Sequence, residues 1–336
     1  NLIYLGRVLP AVGKQALVVP LGIAFNLVWL LGMWSYAMAH LSDPGVIPER
    51  WLEFVQGMGL ALEVVPARAE WQPAKATFCK KCFVPRPERA HHCLICGICV
   101  LRMDHHCPWI NNCVGFYNHK YFLLLGGYTL LASLIALLSC LPELAACLFA
   151  LVDPGAGYAW LPDSLDVMDV VVFVTFGILT SMVFGLLAQM MAVHAGLAVR
   201  NSTSIEDQYR NMNNPFDQGS VFANLSQIFG AFSLDWFLPI RPARPLSDGI
   251  AYPDPDEERL ALNLAAVATA GPEDTLERED TETLQLWQIR YNVRLSSSVD
   301  AEEGASGWVG APFFTQFFGC VGVAVDGGTR RLVADR

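Results

Sequence analysis

Three stretches of this chain carry no Asp, Glu, Lys or Arg for longer than a bilayer is thick, and no other feature restricts its fold as severely. They lie between Lys14 and Asp43, between Lys120 and Glu143, and between Asp169 and Arg200. A helix needs roughly 20 apolar residues to cross the hydrocarbon core, and backbone inside lipid must satisfy its hydrogen bonds within the segment. Each run therefore predicts a membrane-spanning helix, over 17–41, 120–142 and 169–199. Only 16% of the 336 residues are charged, against about 25% in soluble domains. That excludes a mostly disordered chain and argues against a soluble protein with three buried core helices. Residues 1–16 are apolar but interrupted by Arg7 and Pro10; they read as a lumenal segment or as the end of an earlier span.

Loop charge sets the expected orientation, because Lys and Arg accumulate on the cytosolic side. The loop 42–119 carries Arg50, Arg68, Lys75, Lys80, Lys81, Arg86, Arg89 and Arg102, whereas 143–168 has no Lys or Arg but has Glu143, Asp153, Asp163 and Asp166. The first loop is thus expected in the cytosol, the second in the lumen or outside, and everything after Arg200 again in the cytosol. Residues 200–240 mix aromatic and polar side chains and read as membrane-proximal. Residues 241–336 read as an acidic, largely disordered tail, since 248–336 hold 16 of the 32 acidic residues and only 7 basic ones. Within it, Trp308–Val325 is apolar but glycine-rich, and suggests a hairpin or a contact with the membrane surface. No segment has the basic excess of a nucleic-acid-binding domain, so nucleic acid is excluded as a partner.

The loop 42–119 holds the chemistry. Between Cys79 and Cys113 lie seven of the ten cysteines and four histidines. Histidine mixed into C-x2-C spacing indicates metal and reduced thiols rather than disulfides. A structural zinc takes four sulfur or nitrogen ligands, so two ions use eight of the eleven and leave three, a candidate reactive group. Spacing alone does not say which three, and a wholly structural reading with solvated extras stays open at this point.

The run C-x2-C-x9-H-C-x2-C-x2-C-x4-D-H-H-C-x5-C resembles the cysteine-rich domain of the DHHC-type protein S-acyltransferases (palmitoyltransferases), with Asp104-His105-His106-Cys107 as its signature. Flanking motifs agree with that resemblance: Asp43-Pro44-Gly45 after the first run, Thr203-Ser204-Ile205-Glu206 after the third, and Asn214-Pro215-Phe216-Asp217 with Asn224 further on. The resemblance covers about 17–232. It implies an all-α polytopic membrane protein, a transmembrane helix bundle whose first family span is missing or truncated here, with a small cytosolic two-zinc cysteine-rich domain over 77–122. It also implies two structural Zn2+ ions, one on Cys79, Cys82, His92 and Cys99, the other on Cys93, Cys96, His106 and Cys113.

His91, His105 and Cys107 are then left over. The implied reaction is transfer of a long-chain acyl group from acyl-CoA, through a thioester on Cys107, to cytosolic cysteines of membrane-associated substrate proteins. His105 is the expected general base and Asp104 its orienting partner. Arg86, Arg89 and His91 match family positions near the phosphates of coenzyme A, and Thr203 and Asn224 are expected to support the site. Whether an accessory subunit takes part, and which membrane compartment holds the chain, is not encoded in these motifs. The acyl chain has to run among the helices: an extended 16-carbon chain is roughly 20 Å long, and Ala132 lies roughly 16 Å along a helix from Tyr121. Tyr121, Leu125, Tyr128 and Ala132 share one helix face and are the expected pocket lining. His40, His194 and Cys140 read as packing or interfacial residues, Trp29 and Trp34 as lipid or helix contacts, and Cys147 and Cys320 belong to no motif.

Overall fold

A computed structural model describes residues 3–153, 165–242, 247–252 and 275–293, with positions 257 and 260. Trp308–Val325 and Cys320 lie outside the described residues. In chain order the main helices are α1 (Val18–Leu41), α2 (Glu49–Met58), α3 (His119–Val152), α4 (Val167–Ala198), α5 (Val221–Phe229) and α6 (Thr275–Arg290). Among the described residues, three helices are long and apolar enough to cross a membrane: α1 with the turn preceding it, α3 and α4. Leucine, isoleucine and phenylalanine side chains such as Ile23, Leu27, Leu30, Phe176 and Leu186 point outward from them, as lipid-facing surfaces must.

Helix α3 packs against both α1 and α4. The α3–α4 seam is tight because two glycines admit the neighbouring helix: a Cβ at Gly126 would strike Met191, and one at Gly177 would strike Leu144. Small residues at such crossings let backbones approach where lipid supplies no hydrophobic drive between helices. An Asp166–Asp169 capping box starts α4, satisfying orphan N–H groups of its first turn.

Helix α3 runs ten residues beyond the expected 120–142, through Pro142 and Glu143 to Val152. The reason is a partner for the charge. Glu143 is buried and paired with Lys14, and Arg7 lies 2.9 Å from Asp169 at the same end of the bundle. The segment Tyr4–Ala11 is helical and packs on these helices, Tyr4 stacking on Phe173 at 5.6 Å and Val8 buried beside Cys140 and Cys147.

The all-α expectation holds for the membrane part only. The segment between α2 and α3 is built from seven short strands: β1 (Val64–Pro66), β2 (Ala76–Cys79), β3 (Val84–Arg86), β4 (His91–Cys93), β5 (Ile98–Val100), β6 (His105–Cys107) and β7 (Asn112–Val114). They form a three-stranded sheet, with β2 between β1 and β3, and two antiparallel hairpins, β4–β5 and β6–β7. Three-residue strands have too few alternating positions to announce themselves. Their register is set instead by cross-strand ligand pairs, His92 opposite Cys99 and His106 opposite Cys113.

The acidic tail also departs from expectation. Helix α6 lies within 241–336 and docks on the strand domain, burying Trp287 and Tyr291 with Trp51 and Phe54 of α2, Leu101 and Ile250. Arg290 makes two hydrogen bonds to the Glu88 carboxylate, at 2.8 and 3.0 Å. A charged, low-hydropathy composition concealed one apolar face.

Candidate functional site

The β6–β7 hairpin is held at the end of α1 by side-chain amides. Asn112 donates to the carbonyls of Ala39, His40 and Ser42 at 2.9–3.2 Å, and Asn118 donates to Ala39 and Cys113. These bonds satisfy carbonyls that a helix C-terminus leaves without partners. On the other flank, Asp43 accepts from the N–H groups of Gly45 and Val46, and the Gly45 carbonyl accepts from Leu101 N–H at 2.7 Å. Gly45 sits at φ +110° against Leu101 and Phe116, where a side chain would be strained. The Asp-Pro-Gly turn thus welds the span to the strand domain.

On this hairpin, Asp104 is buried and accepts hydrogen bonds from His105 Nδ1 at 2.6 Å and from Ser204, through its N–H at 2.8 Å and its hydroxyl at 3.1 Å. Burial alone would raise its pKa, but these donors and the neighbouring histidines hold the carboxyl well below the usual carboxylate range. For His105, burial opposes the charge, and hydrogen bonds to Asp104 and Cys107 overcome it, raising its pKa to about 9. Burial likewise pushes the Cys107 thiol up, while His105 and the N–H groups of Ile110 and Trp109 draw it below its ordinary value. Those N–H groups belong to the turn Pro108–Ile110 directly after Cys107. Asp104, His105 and Cys107 thus form a candidate relay in which the charged form of each is favoured.

The six other cysteines of 79–113 and two histidines fall into two sets. Cys79, Cys82, His92 and Cys99 converge in one, and Cys93, Cys96, His106 and Cys113 in the other. Seven of the pairwise separations within the sets are 3.2–3.8 Å, and the ligand atoms of each set all lie within 4.8 Å of one another. Tetrahedral zinc, with bonds of about 2.0–2.3 Å, places such ligand atoms about 3.3–3.8 Å apart. Donor type, count and spacing therefore fit, and both clusters can hold zinc. In each, a C-x2-C turn supplies two thiolates and a facing hairpin pair supplies the histidine and the last cysteine.

Thr203 is fully buried, exchanging backbone and side-chain hydrogen bonds with Glu206. Asn224 donates to the Val199 carbonyl and to Asp217 and so ties α5 to the end of α4; it supports the helix end rather than touching the relay. The hydroxyl that reaches Asp104 is that of Ser204, which the motif Thr-Ser-Ile-Glu contained but the sequence did not single out. His194, read as a packing residue, lies on α4 with Nδ1 3.6 Å from Asp104 Oδ2 and its ring 5.2 Å from that of His105.

Arg86, Arg89 and His91 do not form an open basic patch. The Arg89 side chain is 1% exposed. It grips Glu206 with two bonds of 2.7 Å, reaches Asn201 with two more, and lies between the rings of Phe216 and Tyr252. It is an internal strut. Arg86 donates to Thr77 at 2.8 Å, and burial followed by the Arg86 charge pushes His91 down to about 4. Neither this strut nor the tail's grip on Glu88 is visible in the charge pattern of the sequence.

Between α1, α3, α4 and the Tyr4–Ala11 segment lies an apolar cavity of about 880 Å³, within the range of small-molecule sites; Leu125, Tyr128 and Ala132 line it, as do Trp29, Tyr36 and Phe173. Tyr121 is not part of its wall. That ring packs instead in the cluster of Cys107, Ile110 and Phe122, because the helix face turns it under the hairpin.

A family model described as DHHC palmitoyltransferase matches residues 72–211. The chain is 33% identical over 221 residues to Probable protein S-acyltransferase 13 of Arabidopsis thaliana, covering 64% of this chain and 70% of that one. It is 33% identical over 223 residues to Palmitoyltransferase ZDHHC3 of Homo sapiens, covering 65% and 68%. Palmitoyltransferase ZDHHC2 of Danio rerio is 30% identical over 269 residues, covering 71% and 69%.

Proposed function

The chain belongs to the DHHC palmitoyltransferase family and is a protein S-acyltransferase, and from that premise we propose that Cys107 carries the acyl group in a two-step reaction. The observation that carries this reading is the grouping itself: Asp104 accepts from His105 Nδ1 at 2.6 Å, the neighbouring His105 draws the Cys107 thiol below its ordinary value against the effect of burial, and Asp104, His105 and Cys107 stand outside both four-ligand clusters.

With Nδ1–H donated to Asp104, His105 Nε2 is the atom free to take the Cys107 proton. The thiolate attacks the carbonyl carbon of a long-chain acyl-CoA thioester. As the carbon–sulfur bond to coenzyme A breaks, the departing thiolate takes the proton from His105. A cysteine of a substrate protein then gives its proton to His105 and attacks the Cys107 thioester, and Cys107 leaves with that proton. One thioester replaces another in both steps, so the free-energy change is small and the protein's task is alignment and proton transfer.

The acyl chain lies in the cavity lined by Leu125, Tyr128 and Ala132. Arg89 is engaged by Glu206 and Arg86 by Thr77, so coenzyme A phosphates are not assigned to that basic run. Cys79, Cys82, His92 and Cys99 would hold one zinc ion and Cys93, Cys96, His106 and Cys113 a second; these would fix the hairpins, and with four protein ligands each they would supply structure rather than a catalytic water. The excess of basic residues in 42–119 supports a relay on the cytosolic face of the membrane, in reach of cytosolic substrate cysteines.

Cys107→Ser tests the reading. Hydroxylamine-sensitive incorporation of an acyl probe and transfer to a substrate protein are both expected to disappear, with two zincs per chain retained. Persisting acylation, or loss of one zinc, overturns the assignment of Cys107.

A further inference from the structure

Asp104, His105 and His194 present one ligand atom each, all within 4.8 Å of one another. The two histidines approach the same carboxylate oxygen, Asp104 Oδ2, from different elements: His105 Nδ1 from β6 at 2.6 Å and His194 Nδ1 from α4 at 3.6 Å. His194 Nδ1 is buried and has no hydrogen-bond partner among the described residues. Its ring is fixed by Phe122 at 4.9 Å and by His105 at 5.2 Å, so the nitrogen is held toward Asp104 without bonding to it. A relay that needs one histidine has a second, oriented and unused.

The geometry points to a third divalent-cation site on Asp104, His105 and His194, one that switches the relay off. Two imidazoles and a carboxylate suit zinc among the first-row ions. Bonds of about 2.0–2.2 Å place such ligand atoms about 3.3 Å apart, so the separations of 2.6 and 3.6 Å from Asp104 Oδ2 lie on either side of the value an ion requires. Asp104 carries the one negative charge, and the His105 side chain, 28% exposed, gives an ion its entry.

The chemical consequence follows from which nitrogen is taken. In the relay, His105 Nδ1 carries a proton toward Asp104 and Nε2 exchanges protons with Cys107. A metal–Nδ1 bond displaces that proton to solvent, or to Nε2 when the ring is neutral. Either way, Nε2 holds the ring's single remaining proton, cannot accept another from a thiol, and gives up its last one reluctantly. Proton cycling stops, although Cys107 itself is untouched. This inhibition rests on the proposed role of His105; the binding of the ion does not.

The test uses the purified full chain with its two zincs, equilibrated across a series of buffered free zinc concentrations. The expected result is a third zinc per chain, with acyl-probe incorporation lost over the same range and restored when free zinc is lowered. His194→Phe keeps the ring contacts and removes the ligand. It is expected to hold two zincs, and to need at least about tenfold more free zinc for binding and inhibition. If that variant fails to hold two zincs, His194→Ala takes its place. No third zinc in the unsubstituted chain, or a third zinc bound equally by the His194 variant, overturns the site. A third zinc that binds as expected without blocking acylation leaves the site standing and overturns instead the reading of His105 as the proton carrier.

Discussion

Glu88 and Arg89 are neighbours in sequence and face opposite parts of the molecule. Glu88 accepts from the Ala74 and Tyr252 N–H groups and from Arg290, while Arg89 holds Glu206 and Asn201. Removing one member of a buried ion pair leaves the other charge uncompensated, at a cost of about 3–5 kcal/mol. Arg89→Ala is therefore expected to lower the melting temperature and the yield of two-zinc protein. A rise in KM for acyl-CoA with unchanged stability would return Arg89 to the phosphate-binding role that the basic run suggests. The run Pro-Arg-Pro-Glu-Arg-Ala-His shows its charges plainly in sequence, but charge does not reveal burial, and the partner Glu206 is 117 residues away. By contrast, the grouping of Asp104 with His105 rests on a contact between neighbours in sequence, and the signature Asp104-His105-His106-Cys107 carries it.

At the scale of elements, the three membrane helices were legible from charge-free length alone. One end was not, since α3 passes through Glu143 once Lys14 is there to pair with it. The strands were hidden for a different reason: metal ligands rather than alternating hydrophobicity hold them in register. The α3 face from Leu125 through Tyr128 to Ala132 does line the cavity, and Ala132 is the deepest of the three from the relay end. A larger ring there shortens the space for a chain. Ala132→Phe is expected to shift preference from 16- and 18-carbon acyl-CoA toward 14 carbons or fewer, read in a competition assay across chain lengths. A uniform loss at every length would place the acyl chain against another face.

For the whole molecule, the strand domain is finished by the tail. Helix α6 closes an aromatic group in which Trp51 lies 5.0 Å from Tyr291 and Phe54 lies 5.3 Å from Trp287. The Trp287 indole also donates to Asp248 at 2.7 Å. Replacing a buried tryptophan with alanine costs about 3–5 kcal/mol. Trp287→Ala is expected to release α6, to expose α2 to limited proteolysis and to lower the melting temperature, while both zincs stay bound. Unchanged protection of α2 would mean that the docking contributes nothing to the fold. Composition concealed this contact, because the acidic residues of α6 outnumber the few apolar ones that dock.

Adjacent residues His92 and Cys93, on the single strand β4, belong to different metal clusters. The two clusters are thereby linked like successive rungs on one rail, and an ion lost from one would loosen the strand that carries a ligand of the other. Structural zinc contributes folding free energy of about 10 kcal/mol or more in small domains, so disrupting either cluster removes support from the strand that both share. Cys113→Ala, which touches one cluster only, is expected to leave the protein with neither zinc rather than with one, as counted by metal analysis of the purified chain. A stable one-zinc protein would show two independent modules. Demetallation by a chelator then has a single rate, and partial zinc starvation yields a mixture of complete and empty molecules with no half-loaded form between them.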